Sequence, residues 1–388
     1  MAKRLGLQKF LFVILLMSFA LGEIARIQFS NGIAIKALDI AVFLFVVLQI
    51  FYFRRPLLAR PILIFVSVAA LSLLINSVNL KTNEMLVSSL YLIRWIAYAG
   101  VYFIVSNFDR DFKKNASRFL VVVGGVVLSL GFVQYFLYPN LRNLYYLGWD
   151  EHLYRLFSTF LDPNFAGAFF VLYFLFLLGL FFKRKNILHG LLAIVTLLAI
   201  ALTFSRSAYL MLFVGLFTFM ILWGKKRLFL IFTIVFVSIV SVLSMVGFKS
   251  EGTNLLRLTS SQARIPSAKS ALAIFEKNPI FGVGFNAYQF AIKKYNITRS
   301  ESKYPNHSAS GTDNSFLFVL ATTGIVGLFA YLYLWTRIIS FAKFRKKMFS
   351  AVIISSSVSL LVGSLFANSL FYAPITLWMW ILLGLSEG

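Results

Sequence analysis

Arg206 is the first residue whose type and setting point to chemistry. It lies in Leu202-Thr203-Phe204-Ser205-Arg206-Ser207-Ala208, between two apolar runs with almost no loop. Two readings are open for it: an interfacial arginine snorkelling to water, or a cation aimed at an anionic ligand from the mouth of a helix bundle. Arg264 opens an amphipathic stretch in a long polar segment. Two guanidiniums over one cavity would clamp a diphosphate well, because the planar fork makes bidentate contacts. Arg155 and Lys269 are further cations on the same side of the chain's topology and could assist.

A proton acceptor would be needed beside such a clamp. Asp313, in Thr312-Asp313-Asn314-Ser315 at the start of the tenth apolar run, is the first candidate, and His307 the second. The structural alternative for the Asp313 segment is a helix N-cap. A helix N-terminus stabilises a carboxylate and so weakens it as a base, an effect that desolvation would have to offset. His152 is another titrating group on that side, and His189 sits near Lys185 on the other. Asn278-Pro279-Ile280-Phe281-Gly282-Val283-Gly284 is glycine-rich but is no dinucleotide fingerprint, since no strand precedes it and no third glycine is correctly spaced. A tight docking turn is the simpler reading, direct phosphate contact the alternative. Lys36, Asp39 and Arg94 fall inside apolar runs, where charge is costly and seeks a partner or a cavity. Lys36 and Asp39 lie one turn apart and could neutralise each other; Asp39 could instead pair with Arg94 and brace the cavity. No outward carboxylate cluster has metal-ligand spacing, so arginine and lysine are expected to neutralise leaving-group charge. Cysteine is absent, which excludes disulfides and thiolate sites.

The elements that position these residues are membrane helices. Of 388 residues 60% are hydrophobic and 13% charged, and the mean hydropathy is +0.85. The apolar runs are about 17–25 residues long, enough to cross a bilayer as helices. They are expected near 10–25, 33–53, 61–77, 86–107, 117–138, 163–182, 187–204, 207–223, 228–247, 315–339, 349–367 and 370–386. The N-terminal run follows Lys3, Arg4 and Lys9 without a convincing cleavage site, and reads as an uncleaved first span. The fold class is therefore all-α and polytopic, with about twelve transmembrane helices. The net charge of +24 sits mostly in alternate short loops. That pattern is a topology signal, not a nucleic-acid footprint, and places both termini in the cytoplasm.

Two longer segments face outward in this topology. One runs 139–162 and includes Arg155. The other runs 248–314, with nine basic against four acidic residues, and loops of this length are usually functional. The chain divides into 1–247 with helices one to nine, the loop 248–314 carrying part of the active site, and 315–388 with helices ten to twelve. Pro266 suits a first helical turn, and Ile265, Ala268, Leu272 and Phe275 recur at helical spacing as one apolar stripe, so short amphipathic helix structure is expected on the membrane face or across a cavity mouth.

The ordered set Ser205-Arg206, Arg264, Asn278 to Gly284, Asn314-Ser315-Phe316-Leu317 and Gly324-Ile325-Val326-Gly327 resembles the O-antigen ligase and Wzy-type polysaccharide polymerase superfamily. The detailed similarity covers roughly 155–330. The resemblance implies a metal-independent, inverting membrane glycosyltransferase of the GT-C type, without cofactor. The donor would be a glycan on undecaprenyl diphosphate, and the acceptor a glycan or a lipid-linked chain. Membrane lipid surrounds such a protein, and a flippase and a chain-length regulator would work beside it in the bacterial cytoplasmic (inner) membrane. The resemblance maps the diphosphate to Arg206 and Arg264. Ligases commonly place histidine directly before the asparagine of the tenth-helix motif. Here Asp313 stands there, which moves the expectation toward polymerisation of lipid-linked repeat units. Transfer of a finished glycan to lipid A core, protein or wall polymer is the second reading. A transporter or flippase is the third, disfavoured because no internal repeat is visible.

Overall fold

The computed structural model describes residues 2–29, 33–50, 55–246, 250–255, 259–297 and 311–387. Among them are fourteen α-helices: α1 (Ala2–Leu21), α2 (Ala37–Val47), α3 (Ala59–Ile75), α4 (Thr82–Val105), α5 (Arg110–Leu137), α6 (Pro163–Arg184), α7 (Ile187–Leu202), α8 (Arg206–Trp223), α9 (Lys226–Val246), α10 (Thr259–Lys277), α11 (Tyr288–Lys294), α12 (Ser315–Lys343), α13 (Lys347–Gly363) and α14 (Ala373–Ser386). Six are long and apolar enough to cross a membrane, namely α4, α5, α6, α8, α9 and α12, and six further apolar helices are shorter. The only described sheet is a small antiparallel hairpin of β1 (Arg26–Gln28) and β2 (Ala34–Lys36).

The hairpin corrects one expectation. Residues 33–36, read as the start of the second apolar helix, are extended, and α2 begins only at Ala37. The Asp39 carboxylate takes the Lys36 backbone N–H at 3.0 Å, which fixes the helix start there. Charged Lys36 is thereby left on the strand, where it meets Glu23 instead of sitting within a helix.

Helix α6 forms the centre of the bundle. Its side chains from Ala166 to Leu180 are buried all round, as expected for a helix without a polar face. Phe169, Tyr173 and Phe176 each pack edge-on against Trp378 there. Helix α9 is the opposite case: equally apolar, but with most of its surface outside the protein, which suits lipid contact. Around α6, α13 packs on α8, α14 on α4, and α12 on α3 and α10.

The described parts of the segment between α9 and α12 pack against the bundle. Ala271 and Ile274 of α10, Val283, and Tyr288 and Ala291 near α11 bury themselves against Phe318 and Ala321 of α12. The stripe expected on α10 is not the face that docks. Ile265 and Leu272 are exposed, whereas Ser267, Ser270, Ala271 and Ile274 are buried. Small residues flank Ile274 and let α10 approach α12 closely, and Ile265 and Leu272 are turned away. Pro266 lies inside α10 and not in its first turn, since the helix already starts at Thr259.

Candidate functional site

The α7–α8 turn is built so that Arg206 is the first residue of a helix. Phe204 takes a left-handed backbone, φ 47°, unfavourable for a bulky residue and tolerated only where surroundings over-determine it. Arg155 supplies that constraint. It is buried, its Nε donates to the Thr203 carbonyl at 2.9 Å and its Nη2 to the Phe204 carbonyl at 3.4 Å. The Leu156 N–H donates to the Leu202 carbonyl at 2.9 Å. Ser205 then caps α8, its Oγ accepting from the Ala208 N–H, and its hydroxyl also meets Asn164 Oδ1 at 2.8 Å. Arg206 follows, half-buried. Arg155, proposed from sequence as a further phosphate ligand, thus spends these donors on the turn that carries Arg206.

Arg264 reaches the same end of the bundle from α10. Its guanidinium lies 5.6 Å from the centre of the Phe366 ring. Burial pushes its pKa below the ordinary arginine value, the nearby Arg206 charge pushes the same way, and Asp313 opposes both. Arg206 and Asp313 are therefore both within electrostatic reach of Arg264. A second connection is direct: Ser267, one turn along α10, donates through Oγ to Thr312 Oγ1 at 3.2 Å and accepts the Asp313 N–H at 3.3 Å. Lys269, by contrast, is on the exposed side of α10.

Asn314 is the cap of α12, its Oδ1 accepting the N–H groups of Phe316 and Leu317 at 2.8 and 3.0 Å. Asp313 is consequently the residue before the cap, half-buried and not itself used to close the helix. The cap and the competing base are different residues. His307 lies outside the described residues.

The glycine-rich segment inserts into a break in α12. Gly324 has φ 67° and ψ −167°, so the helix is interrupted there. The N–H groups of Ile325 and Val326 donate to the carbonyls of Pro279 and Ile280, and those of Val283 and Gly284 donate to Ala321 and Thr322. A Cβ at Gly282 would stand 2.4 Å from the Thr322 carbonyl carbon, and one at Gly324 2.2 Å from the Ile280 oxygen. Ser72 Oγ, in reach of both the Phe281 and Thr322 carbonyls, and Asn76 Nδ2, donating to the Gly282 carbonyl at 3.0 Å, tie the joint to α3. Asn278 Nδ2 donates to the Tyr295 hydroxyl at 2.8 Å. The contacts of this segment are thus backbone docking contacts that hold α10 over α12.

A second charged group lies nearby. Arg94 Nε is 2.7 Å from Asp39 Oδ1, which also accepts the Tyr98 hydroxyl at 2.7 Å. Lys36 pairs with buried Glu23, so it does not neutralise Asp39 through its ammonium. Among the described residues no group of three His, Asp or Glu side chains could hold a metal ion.

Residues 191–332 match the O-antigen ligase family model. This supports the resemblance to the O-antigen ligase and Wzy-type superfamily. A comparison with curated proteins gives no match. The matched segment runs from within α7 into α12 and contains Arg206, Arg264, the docking segment, Asp313 and Gly324. Arg155, Asp39 and Arg94 lie before it. Sequence reasoning did not single out Ser267, Phe366 or Glu23. Ser267 carries a signal only in hindsight, as a small polar residue one turn from Arg264. Phe366 and Glu23 carry none, because both act across the fold.

Proposed function

We propose that the protein polymerises glycan repeat units carried on undecaprenyl diphosphate, at the outer face of the bacterial cytoplasmic membrane, with both termini in the cytoplasm. The observation that supports this reading is that Arg264 feels the charges of both Arg206 and Asp313, all three within the segment that matches the O-antigen ligase family model. A diphosphate seated between the two guanidiniums would take bidentate contacts from both.

In this mechanism the donor diphosphate rests between Arg206 and Arg264. An acceptor hydroxyl attacks the anomeric carbon from the opposite face, a new C–O bond forms, and the bond to the diphosphate oxygen breaks with inversion. The electron pair leaves with the diphosphate, whose charge the two guanidiniums stabilise; preorganised cations of this kind require no bound metal. Asp313 takes or orients the hydroxyl proton, with His307 as the alternative. The buried arm of Arg155 acts through the Phe204 turn by holding Arg206 in place.

The presence of Asp313 before Asn314, where ligases of the resembled superfamily carry histidine, favours polymerisation over ligation. A deletion strain complemented with Arg206→Ala, Arg264→Ala or Asp313→Asn tests the reading. The expected result is glycan of single repeat length, with each variant still folded in the membrane. Long chains stranded on the lipid carrier would identify a ligase instead, and normal chain lengths from either arginine variant would remove the diphosphate site.

A further inference from the structure

We propose that the cleft between α4, the 284–287 turn and the 368–376 segment is a subsite for a neutral sugar of the acceptor chain, a reading that rests on the glycan-transfer function above. The cleft encloses about 200 Å³, below the range of about 300–1,000 Å³ usual for drug-sized ligands, which limits it to a small group such as one sugar ring. Its walls include Trp95, Phe285, Phe318 and Phe371. Flat aromatic faces match the apolar C–H faces of a pyranose ring and leave the ring's edge to polar groups.

Those polar groups are present and unanswered. Arg94 Nη2 and Asn368 Oδ1 belong to residues that line this cleft. Both atoms are buried, and neither has a hydrogen-bond partner among the described residues. Native proteins rarely leave such atoms unpaired, and each calls for an explanation. Arg94 supplies a donor and Asn368 an acceptor. A sugar hydroxyl both donates and accepts, so it complements the pair and fits either orientation of the Asn368 amide.

Charge separates this cleft from the diphosphate site. Asp39, 2.7 Å from Arg94 Nε, answers the guanidinium charge, and the Tyr98 hydroxyl holds that carboxylate. What remains at Nη2 is a directional donor without net positive charge to attract a phosphate. The cleft also lies on the correct side of the chemistry. Gly311 lines it two residues before Asp313, and Asn368 lines it two residues after Phe366, on which Arg264 packs. Gly311 and Asn368 thus connect the cleft along the chain to Asp313 and to the ring on which Arg264 packs.

The test uses the full-length protein in nanodiscs. The probe is the oligosaccharide released by mild acid from the lipid carrier that accumulates in the deletion strain. Wild-type protein is expected to bind this free oligosaccharide, detected by saturation-transfer NMR, with no competition from inorganic pyrophosphate. Asn368→Leu removes the acceptor atom, and Arg94→Lys keeps a charge beside Asp39 while withdrawing Nη2. Each should weaken binding and raise the acceptor KM about tenfold, the usual scale for one hydrogen bond lost in a buried site, and Arg206→Ala should leave oligosaccharide affinity unchanged. Absence of binding, displacement by pyrophosphate, or wild-type affinity in both folded variants would overturn the subsite. A KM increase for the lipid-linked donor alone would overturn its assignment to the acceptor. Should the oligosaccharide bind as described while Arg206→Ala and Arg264→Ala extend chains normally, the diphosphate reading fails and the subsite stands.

Discussion

Two arginine groups lie at one end of this bundle, and they differ in what answers the charge. Arg94 has Asp39 at 2.7 Å, and Asp39 in turn accepts from Tyr98. Arg264 has both Asp313 and Arg206 within electrostatic reach, the first opposing and the second adding to the depression of its pKa by burial. In the proposed readings the first arginine offers a donor to a sugar hydroxyl and the second pair meets the diphosphate, so the same side chain would serve two chemistries.

That contrast can be broken at several strengths. The largest effect is expected at the charged group: Arg206→Ala and Arg264→Ala should each reduce chain extension about a hundredfold or more, as loss of an oxyanion-stabilising group does. The double variant should be little worse than either single one, because both act on one diphosphate; full additivity in an extension assay would mean that they serve separate ligands. At the neutral group the expected loss is of stability. Asp39→Ala strands the Arg94 cation and should cost about 3 kcal/mol, the low end for a broken buried pair, since the two side chains keep 21% and 16% exposure. A thermal melt in detergent reads this, and an unchanged midpoint would show that the pair is not needed for the fold. The smallest effect is expected at the joint that carries Arg264. Gly324→Ala, at φ 67° with the Ile280 oxygen 2.2 Å from the new Cβ, should cost about 1–3 kcal/mol. It should also lower extension by shifting α10 over α12, and retention of both stability and activity would separate the joint from the site.

Much of the architecture was legible from periodicity and charge. Apolar runs long enough to span a bilayer announce helices, because a backbone in hydrocarbon must satisfy its own hydrogen bonds. Among the described residues, six helices long and apolar enough to cross a membrane and six shorter apolar ones lie along the expected stretches. The residues now grouped at the α8, α10 and α12 ends were also nameable in advance, since Arg206, Arg264 and Asp313 interrupt or flank apolar runs where charge is conspicuous. The misread elements were those where tertiary contact outweighs local pattern. The stripe Ile265–Leu272 is apolar by spacing, yet close approach to α12 selected the small face of Ser267, Ser270 and Ala271.

Composition and spacing alone therefore established a chain of apolar helices and the short set of charged residues among them, because hydrophobic length and charge position are local properties. Pairing is not local. Whether Asp39 answers Lys36 or Arg94, whether Arg155 faces a ligand or braces the Phe204 turn, and whether Asp313 or Asn314 caps α12 depend on which backbone groups and charges packing brings within a few ångströms. Only the folded arrangement decides these, since hydrogen bonds and desolvated charges act over contact distances that bear no relation to separation along the chain.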